Sequence, residues 1–222
     1  IVVPAFNAEE YIEACLNSIF RNAHRDIQFE VLLIDDCSTD STFKILTNFQ
    51  KSNGNLIVLR TQENSGPGGA RNVGVKNASG DWILFLDSDD YLYEDCLQGL
   101  VNILNRKSFD VIICKYTGEY FPSSNDELFE FNKSSPKNNI ISYINDINYH
   151  PDVCWHYIVN KKFVLKNNLY FVNSKVGEDQ EFVARLLCLM KKYILFDKNY
   201  YWHRERADSL KSSIDYRTTE SY

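Results

Sequence analysis

The 222-residue chain is 44% hydrophobic and 14% aromatic, which excludes a disordered protein and is enough for a buried core. Its 24 Lys and Arg residues against 30 Asp and Glu give a net charge of −6, so we expect no nucleic-acid partner. No apolar run approaches the ~20 residues of a membrane-spanning helix. The six cysteines form no CxxC pair, which favours buried, reduced thiols over a disulfide framework. Because the chain begins at Ile1, inside a predicted strand, we expect a trimmed product.

The first half alternates short apolar strands with stretches of helical spacing. The predicted strands cover residues 1–3, 31–34, 56–59, 82–86 and 111–114. The predicted helices cover 8–22, a segment around 43–49, 66–78 and a segment around 97–104. Asn7 is suited to cap the first helix, and Ser38 with Asp40 the second. Strands that alternate with helices imply parallel βαβ units and an α/β fold.

The second half loses this alternation. Residues 121–139 are polar and contain Pro, Ser and Asn, which predicts a long loop. Apolar residues at helical spacing predict a helix across 178–191, and a strand is expected at 193–196. The polar tail from residue 211 is expected to fray. We expect one domain with a first half at 1–115, a second half at 116–210 and a tail at 211–222.

Three carboxylates, Asp87, Asp89 and Asp90, follow a buried apolar run at 84–86. They would repel one another unless a cation, a cationic ligand or helix-end amides share the site. Asp87 and Asp89 offer the hard oxygen ligands that suit Mg(II) or Mn(II). For Asp90 alone, capping of the next helix is the simpler interpretation.

The carboxyl ends of parallel strands lie along one edge of a sheet, where ligands bind. Four strand ends carry unusual residues there: Pro4-Ala5-Phe6-Asn7, Asp35-Asp36, Asn64 with the glycine loop Gly66-Pro67-Gly68-Gly69, and Asp87-Ser88-Asp89-Asp90. The glycines permit positive φ and close backbone approach. Arg71, in the first turn of the following helix, opposes the helix dipole and needs a partner, either a carboxylate such as Asp36 or a ligand. Phe6 either stacks on a base or packs in the core.

Two later stretches carry further candidates. Glu178 and Asp179 open the late helix, where acids either balance the helix dipole or act as a general base for a hydroxyl. His203 can complete a metal shell. Arg204 and Arg206 can neutralise a diphosphate.

These stretches resemble the family 2 inverting glycosyltransferases with the GT-A fold, of the bacterial polysaccharide-building kind. They occur along the chain in the same order as in that family. The matching segments are Val2 to Glu9, Leu33 to Asp40, Glu63 to Gly66 with Gly69 to Asn72, Phe85 to Asp90, Gly177 to Phe182, and Tyr200 to Ser209. The resemblance covers nearly the whole chain. It implies a Rossmann-like, mostly parallel sheet flanked by helices, with a nucleotide-sugar-binding first half and a less regular acceptor-binding second half.

The resemblance also implies a role for each matching position. Pro4, Phe6, Asn7, Asp36, Gly66, Arg71, Asp87 and Ser88 would bind the nucleotide, with Phe6 stacked on uracil and Asp36 bonded to the base. Asp89, with Asp87 and His203, would hold Mn(II) or Mg(II). Asp179 would be the catalytic base, with Glu178 beside it, and Arg204 and Arg206 would lie at the diphosphate.

The implied reaction moves a sugar from a nucleotide sugar to a hydroxyl of a glycan or lipid-linked acceptor, with metal and with inversion at the anomeric carbon. A UDP-sugar is favoured, although GDP- and dTDP-sugars fit the same pattern. By resemblance we expect a cytoplasmic protein, with peripheral association at the cytoplasmic membrane face. The sequence does not name the donor sugar, the acceptor, the linkage or the oligomeric state.

Three other classes compete with this interpretation. A nucleotidyltransferase would need a glycine-rich loop with a basic residue after the first strand, where this chain has Pro4-Ala5-Phe6-Asn7. A receiver domain would carry its acidic pair after the first strand, whereas Asp35-Asp36 follows the second. A degenerate glycosyltransferase would bind sugar nucleotides without turnover, and the intact Asp87, Asp89 and Asp179 argue against it. The 121–139 loop and Trp155-His156-Tyr157 are candidate acceptor surfaces, although Trp155 could equally pack in the core.

Overall fold

The computed structural model describes residues 1–23, 27–105, 109–118, 153–174 and 176–204. Strands β1 (Val2–Ala5), β2 (Val31–Asp35) and β3 (Leu56–Arg60) form a parallel sheet in that order. The 84–86 run adds to its edge beside β1, where the Leu86 amide donates to the Val2 carbonyl at 3.0 Å. Strands β1 and β2 are buried throughout, as expected for a parallel sheet covered by helices. The predicted βαβ alternation is confirmed.

Helices α1 (Ile12–Arg21), α2 (Thr42–Ser52) and α3 (Gly66–Asn77) connect these strands. The predicted cap at Asn7 is wrong, because α1 begins five residues later and the Asn7 side-chain oxygen accepts from the Thr39 amide at 2.9 Å. Asp40 does accept from the Thr42 amide at the start of α2, at 2.9 Å. Since α3 begins at Gly66, Arg71 lies in its second turn and not in its first.

The second half forms a mixed sheet together with two short strands from the first half. Its order is β4 (Trp82–Ile83), β7 (Tyr157–Asn160), β6 (Val111–Gly118), β8 (Tyr193–His203) and β5 (Tyr91–Leu92). Only the β6–β8 pair is parallel within this described sheet. The prediction of parallel strands therefore holds for the first sheet, and the antiparallel pairs were not predicted.

The remaining described elements are α4 (Cys96–Leu104), a 3₁₀ turn (Cys154–His156), α5 (Lys161–Lys166) and α6 (Glu178–Leu189). The predicted loop at 121–139 and the tail from 211 lie outside the described residues. All six cysteines are unpaired, as expected. Four of them are buried, but Cys37 is partly exposed and Cys188 is exposed, so the expectation of burial is wrong for these two.

Trp155, His156 and Tyr157 do not form an acceptor surface. All three are buried, and the Trp155 ring stacks on Tyr201 with the centroids 4.0 Å apart. Core packing, the alternative for Trp155, is the correct interpretation.

Gly74 sets how closely α3 packs on β1. A Cβ at this position would lie 2.3 Å from Cγ1 of Val2, inside van der Waals contact. Gly74→Ala should therefore lower the free energy of unfolding by about 1–3 kcal/mol through overpacking. Urea denaturation measures the change. Gly54→Ala is the control, since a Cβ there meets no atom within 4 Å, and an equal loss in both variants would contradict the packing argument.

Candidate active site

The carboxyl edge of the parallel sheet is a meeting point of loops, as the sequence predicted. Hydrogen bonds join the loop after β1 to the loop after β2, and the loop after β2 to the start of α3. Further hydrogen bonds join α3 to the turn after the 84–86 run and to the first turn of α6. The candidate residues of the two halves are therefore brought together.

A buried arginine, Arg71 of α3, connects three carboxylates at this edge. Its Nη1 donates to Oδ1 of Asp179 at 2.6 Å and to Oε1 of Glu178 at 3.4 Å. Its Nη2 donates to Oδ1 of Asp87 at 2.7 Å. The Arg71 side chain is 3% exposed and that of Asp87 is 27% exposed, so the cluster is open to solvent on the Asp87 side. The expectation of a carboxylate partner for Arg71 is confirmed, but the example suggested from the sequence, Asp36, is wrong, because Asp36 is bonded to Thr61 and Ser65.

Aromatic packing fixes the position of Arg71 relative to α6. The guanidinium lies over the Phe171 ring, 5.3 Å from its centroid, and Phe171 stacks on Phe182 of α6 at 4.1 Å. At Gly68, an added Cβ would lie 3.0 Å from Cγ of Glu178. The close backbone approach predicted for the glycine loop therefore occurs between α3 and the first turn of α6.

The pKa values of the two acids on α6 are displaced upward. Burial raises the pKa of Asp179, while the Arg71 charge and hydrogen bonds from Cys154 partly oppose the rise. Burial, followed by the charge of Asp179, raises the pKa of Glu178. A carboxylate with a raised pKa accepts a proton more readily at neutral pH, which a general base requires.

Asp36, predicted to bind a nucleobase, is buried at the end of β2. Its Oδ1 accepts from the Thr61 hydroxyl at 2.8 Å and from the Ser65 amide and hydroxyl at 3.0 and 2.9 Å. Its Oδ2 is also buried and has no hydrogen-bond partner among the described residues. A buried acceptor without a partner is costly, so an N–H group from a ligand would stabilise this carboxylate.

The other predicted nucleotide-site residues lie at the same edge. Pro4 is buried in β1, Gly66 has the predicted positive φ, at 74°, and Asn7 ties its loop to Thr39. Phe6 is 47% exposed, which excludes the core interpretation and leaves its ring available for stacking. Nucleotide contacts at these positions stay predictions.

The turn after the 84–86 run presents Asp87, Ser88 and Asp89 partly exposed and buries Asp90. The Asp90 amide closes the turn by donating to the Asp87 carbonyl at 3.1 Å. The interpretation of Asp90 as a helix cap is wrong, because α4 begins only at Cys96.

Asp90 instead joins this turn to the end of β8. Its Oδ2 accepts from the Tyr201 hydroxyl at 2.6 Å and lies 3.1 Å from Nδ1 of His203, and its Oδ1 accepts from the Arg204 amide at 2.7 Å. The Tyr201 hydroxyl also accepts from the Asp87 amide at 3.2 Å. Burial raises the pKa of Asp90, and the hydrogen bond to Asp90 raises the pKa of His203.

The predicted metal ligands do not form a closed cage. Within the described ranges, no group of three or more His, Cys, Asp and Glu side chains is arranged to hold a metal ion. Asp87 is bonded to Arg71, and His203 is oriented by Asp90 through its Nδ1. A carboxylate on one ring nitrogen is the usual partner of a metal-binding histidine, so the His203 geometry is compatible with the predicted role.

Of the two arginines predicted to contact a diphosphate, Arg204 lies within the described residues. The Arg204 guanidinium lies over the rings of Tyr11 and Tyr91, 5.3 and 5.6 Å from their centroids. Arg206 lies outside the described residues. A diphosphate contact of these arginines stays a prediction.

Sequence reasoning missed Phe171 and the role of Tyr201. Phe171 carries no motif, and its contact with Arg71 spans 100 positions of sequence. Tyr201 stands in an aromatic stretch that the sequence did single out, but its bond to Asp90 joins residues 111 positions apart. A pattern in a local window contains no signal for either contact.

Removal of the Asp90 carboxylate should destabilise the protein more than removal of one of its donors. Asp90→Ala leaves three donors without their acceptor, and we expect the free energy of unfolding to fall by about 3 kcal/mol. Tyr201→Phe removes one hydroxyl from the same network, and the expected loss is about 1 kcal/mol. Chemical denaturation of both variants tests this order, and a larger loss in Tyr201→Phe would refute it.

The sheet edge combines a buried arginine, clustered carboxylates and an exposed aromatic ring. These features indicate an α/β protein that binds a polar ligand at its strand ends. The family model described as Glycosyl transferase family 2 matches residues 1–169. The chain belongs to this family, and both the α/β fold expectation and the resemblance stated from the sequence are confirmed.

Two curated relatives extend the comparison. The poly(ribitol-phosphate) beta-N-acetylglucosaminyltransferase TarS of Staphylococcus aureus is 31% identical over 216 residues, which cover 96% of this chain and 36% of TarS. A poly(ribitol-phosphate) beta-glucosyltransferase of Bacillus spizizenii is 28% identical, over 100% of this chain and 34% of the relative. The chain thus spans about a third of the length of these relatives.

A solved structure agrees with the fold. The crystal structure of S. aureus TarS 1-349 in complex with UDP-GlcNAc matches with a TM-score of 0.81 and 29% identity, covering 96% of this chain and 60% of that chain.

Among the described residues, no helix has the length and apolar character needed to cross a membrane.

Proposed function

We propose that the chain is the catalytic domain of a glycosyltransferase that moves a sugar from a UDP-sugar to a hydroxyl group of a bacterial surface glycan. The observation that carries the proposal is the convergence of Asp87, Glu178 and Asp179 on buried Arg71 at the carboxyl edge of the sheet. Family membership and the UDP-GlcNAc complex of the related TarS domain support the class of donor.

We assign the base of the donor to Phe6 and Asp36, which follow the neighbouring strands β1 and β2 and are brought close by the hydrogen bond from the Asp36 amide to the Ala5 carbonyl at 2.8 Å. The exposed Phe6 ring offers a stacking surface. The buried Oδ2 of Asp36 can only accept hydrogen bonds when ionised, so it favours a base with an N–H on its pairing edge, as uracil has. A base that presents only an acceptor there would be repelled.

A divalent cation fits the charge of this edge. Three carboxylates against one guanidinium leave an excess of negative charge that would repel a diphosphate. Mg(II) and Mn(II) are commonly held by one or two carboxylates plus substrate phosphates, so such an ion would need few ligands from the protein. Asp89 and His203 would hold the ion, with Asp87 beside them. When bound, the ion would neutralise the leaving diphosphate.

Asp179 is the proposed catalytic base. Its raised pKa suits it to take the proton of an acceptor hydroxyl. The acceptor oxygen then attacks the anomeric carbon from the face opposite the diphosphate, and the bond to the diphosphate breaks in the same displacement. Inversion at the anomeric carbon follows from this single step. Arg71 holds the Asp179 carboxylate in place through the 2.6 Å hydrogen bond.

The acceptor class is taken from the relatives. Two of them are named as poly(ribitol-phosphate) glycosyltransferases, one for N-acetylglucosamine and one for glucose. We therefore propose a polyol-phosphate or similar surface polymer as the acceptor and UDP-GlcNAc and UDP-glucose as the first donors to test.

Calorimetric titration with UDP, GDP and dTDP, each with Mn(II) and with EDTA, tests the proposal. We expect UDP to bind only with metal, and Asp89→Ala to lose the metal dependence together with most of the affinity. Asp36→Asn should weaken UDP binding, because an amide can present a donor to the base N–H. A folded chain that binds none of the three nucleotides would refute the proposal, and full metal-independent binding in Asp89→Ala would refute the metal assignment.

A further inference from the structure

A basic groove lies far from the carboxylate cluster, where α5, the start of β6 and the end of α6 meet. It has a volume of about 550 Å³ and contains four lysines: Lys162, Lys166, Lys191 and Lys192. Its lining also includes Phe109 and Phe163. None of the residues placed in the active site lines it.

Exposed leucines accompany the lysines. Leu165 of α5 is 47% exposed, and Leu189, which ends α6 and lines the groove, is 37% exposed. Because residues three and four apart share a face of a helix, Lys162, Leu165 and Lys166 project from α5 together. Exposed leucine between lysines is typical of surfaces that bind at a lipid–water interface.

The groove is basic although the chain carries a net charge of −6. Two acids, Asp81 and Asp110, line it as well. The Asp110 carboxylate accepts from the backbone amides of Lys191 and Lys192 at 2.9 and 3.0 Å. Asp110 is therefore bonded to main-chain donors through its Oδ2. No ion pair joins any of the four ammonium groups to another described residue. Their charge is available to a partner.

We propose that this groove and its leucine rim dock the protein on an anionic lipid bilayer. The lysines supply charge complementarity to anionic headgroups, and their long stems allow the ammonium groups to reach the phosphate level. Leu165 and Leu189 insert at the boundary between headgroups and acyl chains. A soluble polyanion would use the lysines but would gain nothing from the leucines, so the combination favours the bilayer.

The docked orientation follows from α6. The helix has 12 residues, with Glu178 and Asp179 at its first turn and Leu189 at its last. At 1.5 Å per residue, the ten residues from Asp179 to Leu189 separate the groove from the proposed base by about 15 Å. The active site would then face away from the bilayer and act on acceptor units that extend into the aqueous phase.

Vesicle sedimentation of the full chain tests the proposal without donor or acceptor, so its result is independent of the glycosyltransferase assignment. We expect binding to vesicles of phosphatidylcholine with 30% phosphatidylglycerol, and little binding to pure phosphatidylcholine. Lys162→Gln with Lys166→Gln should lower the partition coefficient by about 20–30-fold at low salt. Lys44→Gln with Lys51→Gln, on exposed positions of α2, removes the same charge outside the groove and should have little effect.

A second pair of variants tests the apolar part of the surface. Leu165→Ser with Leu189→Ser removes two partly exposed side chains, and circular dichroism checks that the variant is folded at the temperature of the assay. We expect about tenfold weaker binding to the anionic vesicles, with the difference retained at high salt. Equal binding to both kinds of vesicle, or none, would overturn the proposal. The proposal would also be overturned if the leucine variants bound vesicles as the wild type does. Binding of inorganic polyphosphate but not of vesicles would assign the groove to a soluble polyanion instead.

Discussion

Arg71→Met should lower the free energy of unfolding by about 3–5 kcal/mol, the usual result of removing one partner of a buried ionic cluster. Arg71 is 3% exposed, and the Glu178 and Asp179 carboxylates that it holds are 10% and 16% exposed. Without the guanidinium, these carboxylates and Asp87 face one another in a poorly hydrated site. Methionine fills much of the space, so the loss would report charge more than a cavity. Urea denaturation at pH 7 measures it.

The matched control is Arg185→Met. Arg185 pairs with Glu181 of α6 at 2.5 Å and also donates to the Tyr170 carbonyl, but the Arg185 and Glu181 side chains are each more than a third exposed. Solvent screens that pair, and we expect a loss of less than about 1 kcal/mol. Equal losses in the two variants would show that the Arg71 cluster contributes no more than a surface ion pair.

The effect of Arg71→Met should depend on pH. Burial raises the folded-state pKa of Glu178 and Asp179 above their unfolded values, so the folded state binds more protons and stability falls as pH rises through these values. Arg71 opposes the shift at Asp179, so its removal raises that pKa further and makes the total fall in stability larger. The stability gap between wild type and variant should be wider at pH 8 than at pH 5. Denaturation curves at both pH values test this, and a gap that widens on acidification would contradict it.

The parts of the fold that the sequence predicted are those with a local signal. Short apolar runs located β1, β2 and β3, and helical spacing located the helices between them within a few residues. The rule that ligands bind at the carboxyl ends of parallel strands then selected Asp36, Asp87 and the glycine loop, which the structure brings to one edge. This rule requires only an approximate strand order, so the errors in the predicted helix starts did not affect the predicted site.

The contacts that the sequence could not predict join distant positions. Arg71 and Asp179 are 108 residues apart, and no local pattern distinguishes Asp179 from Asp36 as the partner. The cap predicted at Asn7 failed because a tertiary contact with Thr39 competed with the local one. Strand β7 has four residues and is held by pairing with β4 and β6, and helix α5 has only six residues, so neither gave enough periodicity to detect.

Asp179→Asn should abolish sugar transfer and spare donor binding. The amide keeps the size of the side chain and an oxygen that can accept from Arg71, but it cannot take a proton from the acceptor hydroxyl. Loss of a general base lowers the rate by about 10²–10⁴-fold. The release of UDP from a UDP-sugar in the presence of acceptor gives the rate, and calorimetry with UDP gives the donor affinity.

Glu178→Gln is the matched control, because it makes the same chemical change at the neighbouring residue of the same cluster. Glu178 lies farther from Arg71, at 3.4 Å, and its Cγ packs beside Gly68, so it is less available to an acceptor. We expect a much smaller loss of rate than in Asp179→Asn. A larger loss in Glu178→Gln would transfer the base to Glu178. A base that acts only on the acceptor leaves the affinity for UDP unchanged. If Asp179→Asn lowered the UDP affinity as much as it lowered the rate, Asp179 would instead act through Arg71 on the donor site.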